Sequence, residues 1–132
     1  IGAVGAMDRL IEITVDYALE REAFGRPIGK FQAIRHHVAE MATKAEAARA
    51  LTYNALRLFH TGQDCIRDVS MAKLVTQRAV LEIADQSLQI HGGYGYMREY
   101  GIERAVRDAR LGPIGGGTDE VMKEILGKTM GL

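Results

Sequence analysis

The stretch Gln89-Ile90-His91-Gly92-Gly93-Tyr94-Gly95-Tyr96 decides how this chain folds. Upstream of it, from Asp64, runs a long series of helix-forming residues without Gly or Pro. Three glycines within four positions then end the run, because glycine adopts positive φ without a Cβ clash and lets other groups approach the backbone. A helix stops here, and the open backbone is a place for docking. Taken alone, a His-Gly-Gly reads first as a Schellman cap followed by a loop. A second such stretch, Gly115-Gly116-Gly117-Thr118-Asp119-Glu120, follows further along. The two glycine-lined turns are expected to border one cavity.

Working outward, the chain is punctuated only by Pro27 and Pro113, and the Ala, Leu, Glu, Arg and Met-rich segments between them favour helix. From Ile1 to about Glu22, Val4, Met7, Ile11 and Ala18 share one side, while Leu10, Ile13 and Tyr17 share an adjoining one. Such a broadly apolar helix packs against more than one neighbour. Phe24-Gly25-Arg26-Pro27-Ile28-Gly29 breaks the pattern, since Pro27 disfavours helical geometry at the residue before it. Helix resumes near Gly29 or Lys30. Ile34, Val38, Met41, Ala45, Ala48, Thr52, Ala55 and Phe59 then step by four and three, a seam suited to near-antiparallel packing. Running to His60, that helix is roughly 45 Å long.

Gly62 is placed to cap it, and Asp64 to open the next helix, predicted from about Cys65 to His91. This third helix carries Leu74, Leu81 and Leu88 at sevenfold spacing beside Val69, Val80, Ile83 and Ile90, with small Ala72, Ala79 and Ala84 allowing close approach. Short helices are predicted over Ile102–Leu111 and Thr118–Met130. The fold class is all-α: an antiparallel four-helix bundle with an additional short helix.

At 132 residues the chain is one domain in size and can bury a sizeable core. Seventeen basic and seventeen acidic residues cancel, so bulk charge argues for neither nucleic acid nor an anionic membrane, and any polyanionic ligand must be met locally. The single Cys65 excludes an internal disulfide framework. No signal peptide or membrane-length apolar run is present. The chain opens on Ile1-Gly2-Ala3-Val4, already apolar and helix-like, and is expected to be part of a longer protein.

Helical bundles often hold di-iron centres, which need Glu and His three residues apart on inward faces. None of His36, His37, His60 or His91 has Glu three positions earlier, and His36 with Glu40 reads as a surface pair, so no metal site is expected. Cys65 sits at a helix start, but no base is assigned to it, and it reads as a half-buried small residue. The six methionines are dispersed at helical spacings and read as core filling. Gly93-Tyr94-Gly95 lacks the third glycine of a dinucleotide fingerprint and follows a helix rather than a strand.

What remains is local. Arg21-Glu22-Ala23-Phe24-Gly25 puts a permanent cation and an aromatic ring beside a turn, with Gln32 opening the next helix, a grouping able to hold a phosphate and a flat ring. Singly, Arg21 is an ordinary solvated helix-end charge. Thr118, Asp119 and Glu120 open a helix whose free N–H groups favour oxygen acceptors; Thr118 reads equally as a plain N-cap.

Taken together, Arg21-x-x-Phe24-Gly25-x-Pro27-Ile28-x-x-x-Gln32, the Gln89–Tyr96 stretch, Arg107-Asp108-Ala109 and Gly116-Gly117-Thr118-Asp119-Glu120 closely resemble, in order and over essentially the whole chain, the C-terminal helical domain of acyl-CoA dehydrogenases. The resemblance implies an FAD enzyme with a preceding helical domain and a middle β domain, forming a dimer or tetramer and removing hydrogen across the α,β bond of an acyl-CoA. It implies that Arg21, Phe24 and Gln32 contact the adenosine and pyrophosphate of a partner subunit's FAD, with Gln89, Gly92 and Gly93 beside them. Thr118 and Glu120 would approach the same subunit's FAD, and Gly117 would border the acyl thioester.

Many members carry the catalytic Glu where this chain has Gly116, which has no proton acceptor. Glu120 matches a cofactor-side position and is no substitute. The base is therefore expected upstream of Ile1, as in the long-chain and isovaleryl-type branches, and the wording around Gly116 and His91 is most similar to the long-chain type. The resemblance further implies an electron-transfer flavoprotein or similar acceptor, and a bacterial cytoplasmic or mitochondrial-matrix setting. The competing reading is a non-catalytic flavin- or acyl-CoA-binding protein, or a helical assembly module, that has lost the base.

Overall fold

Helix α1 (Gly2–Glu20) turns Val4, Met7, Leu10, Thr14 and Ala18 inward at steps of three and four, the spacing that keeps residues on one helical face. The computed structural model, which describes residues 1–132, sets this stripe against α2 (Gln32–His60) and α3 (Ile66–His91). Their pairing fixes the directions. His37 meets Gln86, Lys44 meets Glu82, Thr52 meets Thr76 and Asn54 meets Asp68, so α2 and α3 run antiparallel. Asp8 meets Arg49, while the Ala18 carbonyl lies against Gly29 just before α2, so α1 and α2 are antiparallel too. Helix α5 (Ile102–Arg110) returns along α3 and completes the four-helix bundle, and α6 (Asp119–Thr129) is the additional helix, packed on α3.

The helix ends follow their side chains. The Asp64 carboxylate accepts from the Ile66 backbone N–H at 3.1 Å, and the Thr118 hydroxyl accepts from that of Val121 at 3.3 Å, each satisfying a donor left over by helix geometry. Helix α1 stops at Glu20, earlier than the sequence pattern suggests, because Phe24 and Gly25 both take positive φ, 54° and 80°. That pair closes a two-residue hairpin, β1 (Glu22–Ala23) with β2 (Arg26–Pro27). A 3₁₀ turn, Ile28–Lys30, then leads into α2.

The core joins α1, α2, α3 and α5 through Met7, Met41, Ala48, Ile83, Ala84 and Ile102, all at or below 1% exposure. Each large side chain among them contributes about 1.5–3 kcal/mol over its exposed state. On α3 the inner rows are Ala72, Thr76, Ala79, Val80, Ile83, Ala84, Ser87 and Ile90. Leu74, Leu81 and Leu88, at sevenfold spacing in the sequence, are only half-buried, and Val69 and Phe59 are exposed. Helices on several sides of α3 must approach closely, and small residues allow that where a leucine row would hold them apart.

Candidate functional site

The C-terminal end of α3 is built around a buried histidine. The His91 ring is 2% exposed, and its Nδ1 lies 2.7 Å from the Ser87 carbonyl, so Nδ1 carries the proton and donates. Nε2 is then an acceptor, buried and without a partner. Burial pushes the imidazole pKa below its ordinary 6.5, opposed by the hydrogen bond to Ser87. Tyr17 stacks on the ring at 4.2 Å between centroids and donates its hydroxyl to the His91 carbonyl at 3.3 Å, while Tyr100 packs edge-on. Beneath them the Thr14 and Ser87 hydroxyls, both fully buried, meet at 2.7 Å.

Gly92 ends α3 with φ 59° and ψ −135°, a conformation closed to residues with a Cβ. The backbone then coils again, as a single helical turn, α4 (Gly93–Tyr96), where the sequence suggests an open turn. The reason is Gly95: a Cβ there would lie 2.7 Å from the Leu88 carbonyl oxygen and 2.9 Å from the His91 Cβ, so only glycine lets this turn sit on α3. Gly92 and Gly93 differ, since a Cβ on either would meet nothing within 4 Å.

Above these two glycines lies a depression of about 490 Å³ bounded by Arg21, Ile28, His91, Gly92, Gly93 and Tyr94. The Arg21 guanidinium, at the end of α1, sits 5.4 Å over the Tyr94 ring. Its carbonyl accepts from Ile28 at 2.8 Å, which ties the hairpin to the rim. Phe24, 95% exposed, is displayed at the hairpin tip with its ring edge-on to Phe31, and Phe31 in turn lies under Arg26. A non-glycine residue held at positive φ with its ring in solvent is a costly arrangement for folding alone, and points to a use for the ring. Gln32 opens α2 and Gln89 closes α3, both exposed. Arg21, Phe24, Gln32, Gln89, Gly92 and Gly93 thus gather at one end of the bundle.

The second glycine stretch sits elsewhere. Lys73 Nζ donates to the carbonyls of Gly112, at 3.1 Å, and Gly117. Arg78 pairs with Asp119 at 2.7 Å. These anchors lie on the N-terminal half of α3, about 20 Å (Arg78) to about 27 Å (Lys73) along the helix from His91. The two glycine turns therefore do not border one cavity in this chain: much of the length of α3 separates them. Gly116 and Gly117 have φ of 62° and 93°, and Thr118 caps α6. Glu120 is exposed, and its carboxyl is held below the ordinary range by hydrogen bonds from its own backbone N–H and from Thr118. Of the Arg107-Asp108-Ala109 motif, Ala109 packs into the core, while Arg107 pairs with Glu103 at 3.5 Å.

Comparison with known proteins identifies this arrangement. Residues 1–131 match the family model "Acyl-CoA dehydrogenase, C-terminal domain". The chain belongs to that family. It is 44% identical over 126 residues to an acyl-CoA dehydrogenase of Bacillus subtilis, covering 96% of this chain and 33% of the relative. It is 44% identical over 124 residues to the caffeyl-CoA reductase-Etf complex subunit CarC of Acetobacterium woodii, covering 94% of this chain and 32% of the relative. The solved structure described as the FAD complex of PigA superposes with a TM-score of 0.94 at 32% identity, covering 98% of this chain and 34% of the other. The chain thus spans about a third of the length of these relatives.

The residues present fit the family's flavin nucleotide on two observations of this acyl-CoA dehydrogenase domain: the clear space over Gly92 and Gly93, and a guanidinium on the rim of that space. No group of three His, Cys, Asp or Glu is placed to hold a metal ion, and no helix is long and apolar enough to cross a membrane. Sequence reasoning missed Tyr17, Tyr100, Lys73 and the Thr14–Ser87 pair. The two hydroxyls were legible as polar residues on apolar helical stripes. The Lys73 contact was not, because it joins segments distant in sequence.

Proposed function

We propose that this chain is the C-terminal domain of a larger FAD-dependent enzyme that oxidises the α,β bond of a fatty acyl-CoA, long or branched in its acyl part. The observation that carries the reading is the gathering of Arg21, Phe24 and the open-faced Gly92 and Gly93 at one end of the bundle. There the Arg21 guanidinium would pair with pyrophosphate oxygens, Phe24 would offer its exposed ring to the adenine, and Gln32 and Gln89 would supply amide hydrogen bonds. At the separate loop, Thr118 and Glu120 would hold the ring end of an FAD and Gly117 would border the thioester. The distance between the two sets along α3 supports the assignment of each to a different FAD, one of them a sister subunit's, and with it a homo-oligomer.

When bound, the flavin supplies the acceptor for the hydride leaving the β carbon. Removal of the α proton falls to a carboxylate outside these residues, because Gly116 has no acceptor and Glu120 lies a helical turn further on, where the family resemblance puts a cofactor-side residue. We place that base on residues preceding Ile1. The relative named as a reductase-Etf subunit supports an electron-transfer flavoprotein or similar acceptor, and makes the direction of hydride transfer a quantity to measure.

The test uses the full-length protein with bound flavin, mixed with saturated and α,β-unsaturated acyl-CoAs of graded length and branching. Bleaching of the flavin absorbance by one saturated class supports the proposal. Flavin that stays unmoved across the panel contradicts it and favours a binding or assembly role in which Gly116 marks lost chemistry.

A further inference from the structure

Among the polar side chains of α3, Lys73 stands out because it leaves its own helix to hold a loop. Its ammonium donates to the carbonyls of Gly112 and Gly117 and so closes the segment between them against α3. Gln77, one turn on, fills the space beside Gly112: a Cβ on that glycine would overlap the amide oxygen. Arg78 fixes the other end through Asp119, whose side chain is only 13% exposed. Backbone bonds close the two ends of the loop, Ile114 and Gly115 donating to the Leu111 carbonyl at 2.9 and 2.7 Å and Asp119 to that of Pro113 at 3.0 Å, but Gly116 and Gly117 at its tip donate to nothing in the chain and impose few restrictions on backbone angle.

The peptide joining Gly117 to Thr118 is trans, as are all those in the chain. In a trans peptide the C=O and the following N–H point in opposite directions. Holding the Gly117 carbonyl on the Lys73 ammonium therefore aims the Thr118 N–H away from α3. That N–H, like those of Gly116 and Gly117, donates to no protein acceptor. Gly116 is exposed and Gly117 and Thr118 are half-buried, so these donors are open to solvent or to an oxygen of a bound molecule.

We infer that Lys73 is a positioning residue for the reaction: by gripping the Gly112 and Gly117 carbonyls it sets the glycine loop so that the Thr118 N–H presents to a carbonyl oxygen of the bound molecules. This rests on the functional reading above. The carbonyl belongs to the acyl thioester or to the flavin ring; both are the same acceptor chemistry. The lysine touches neither and acts only through the loop.

The experiment compares wild type, Lys73→Met and Lys73→Arg in the full-length protein. Amide hydrogen exchange of residues 111–119, measured without flavin or substrate, is expected to speed up roughly tenfold in Lys73→Met. In the flavin-loaded enzyme kcat is expected to fall roughly a hundredfold with KM little changed, because the loop's aim is lost while the binding surfaces remain. Lys73→Arg, which keeps donors for two carbonyls, should recover part of both. A flavin spectrum altered before acyl-CoA is added assigns the flavin carbonyl as partner; one altered only after a non-oxidisable acyl-CoA is added assigns the thioester. Unchanged exchange at 111–119, or a loss of activity matched by an equal loss of folded protein, overturns the inference. Because exchange needs no ligand, it decides about the loop even if every acyl-CoA leaves the wild-type flavin unmoved, which is the outcome that sinks the functional proposal instead.

Discussion

The two ends of the Gly92–Gly95 segment use the same residue for opposite reasons. At Gly95 a Cβ would strike the Leu88 carbonyl at 2.7 Å, so the glycine is required by what the protein has put there. At Gly93, two residues earlier, a Cβ would find nothing within 4 Å, so no contact within the chain requires the glycine and the space is open to a bound group. Glycine alone does not distinguish a packing contact from a ligand surface; the neighbouring atoms do. The closed region also includes the His91 stack and the Thr14–Ser87 pair, and the open one includes Arg21 and Phe24.

The sharpest break between the two regions is expected from Gly95→Ala. Backbone atoms cannot swing aside, so overpacking should cost about 3 kcal/mol, read as a lowered midpoint in urea unfolding. A change under about 0.5 kcal/mol would mean that α4 is free to lift from α3.

Next in size is Thr14→Val. It leaves the Ser87 hydroxyl without its side-chain partner at a fully buried site, at a cost of about 1–3 kcal/mol. Adding Ser87→Ala should recover part of that loss, because the two hydroxyls are coupled. Simple additivity in the double mutant would show that the pair is not a unit.

The third prediction concerns pH. His91 resists protonation in the folded state, while in the unfolded chain it titrates near its ordinary 6.5. Below that value the unfolded state takes up a proton that the folded state refuses, so stability falls as pH falls. Above it nothing changes. The loss is at most about 1.4 kcal/mol over the first unit below the ordinary value. His91→Phe keeps the aromatic stack and removes the titration, so unfolding free energies at two pH values bracketing 6.5 should draw closer together. An unaltered pH slope would place the titration in another group.

Much of the fold was legible in the sequence, and the reason is local. Spacing at steps of three and four on α1 and α2 gave most of the inward faces, Phe59 at the end of the α2 seam being exposed, and Gly62, Asp64 and Thr118 act at the helix ends where caps were expected. The hairpin at residues 22–27 was legible only as a break, since Phe24 at positive φ is an exception to its residue type. The leucine row of α3 lies half-buried, because spacing reports a shared face and not which face is most enclosed. The site residues were named through motifs, but the separation of the two glycine stretches followed from the length of α3 and from Lys73 and Arg78, whose partners Gly112 and Asp119 lie 39 and 41 residues further along the chain. No periodicity reports contacts at that range.

The most direct test is Gly93→Leu in the full-length protein. A Cβ there would meet nothing within 4 Å and the position carries no positive φ, so the unfolding midpoint should stay near the wild-type value. The account predicts that the purified variant nevertheless loses most of its bound flavin, read from visible absorbance against protein concentration. A variant that keeps one flavin per chain would contradict it, for the space above Gly93 would then belong to no nucleotide.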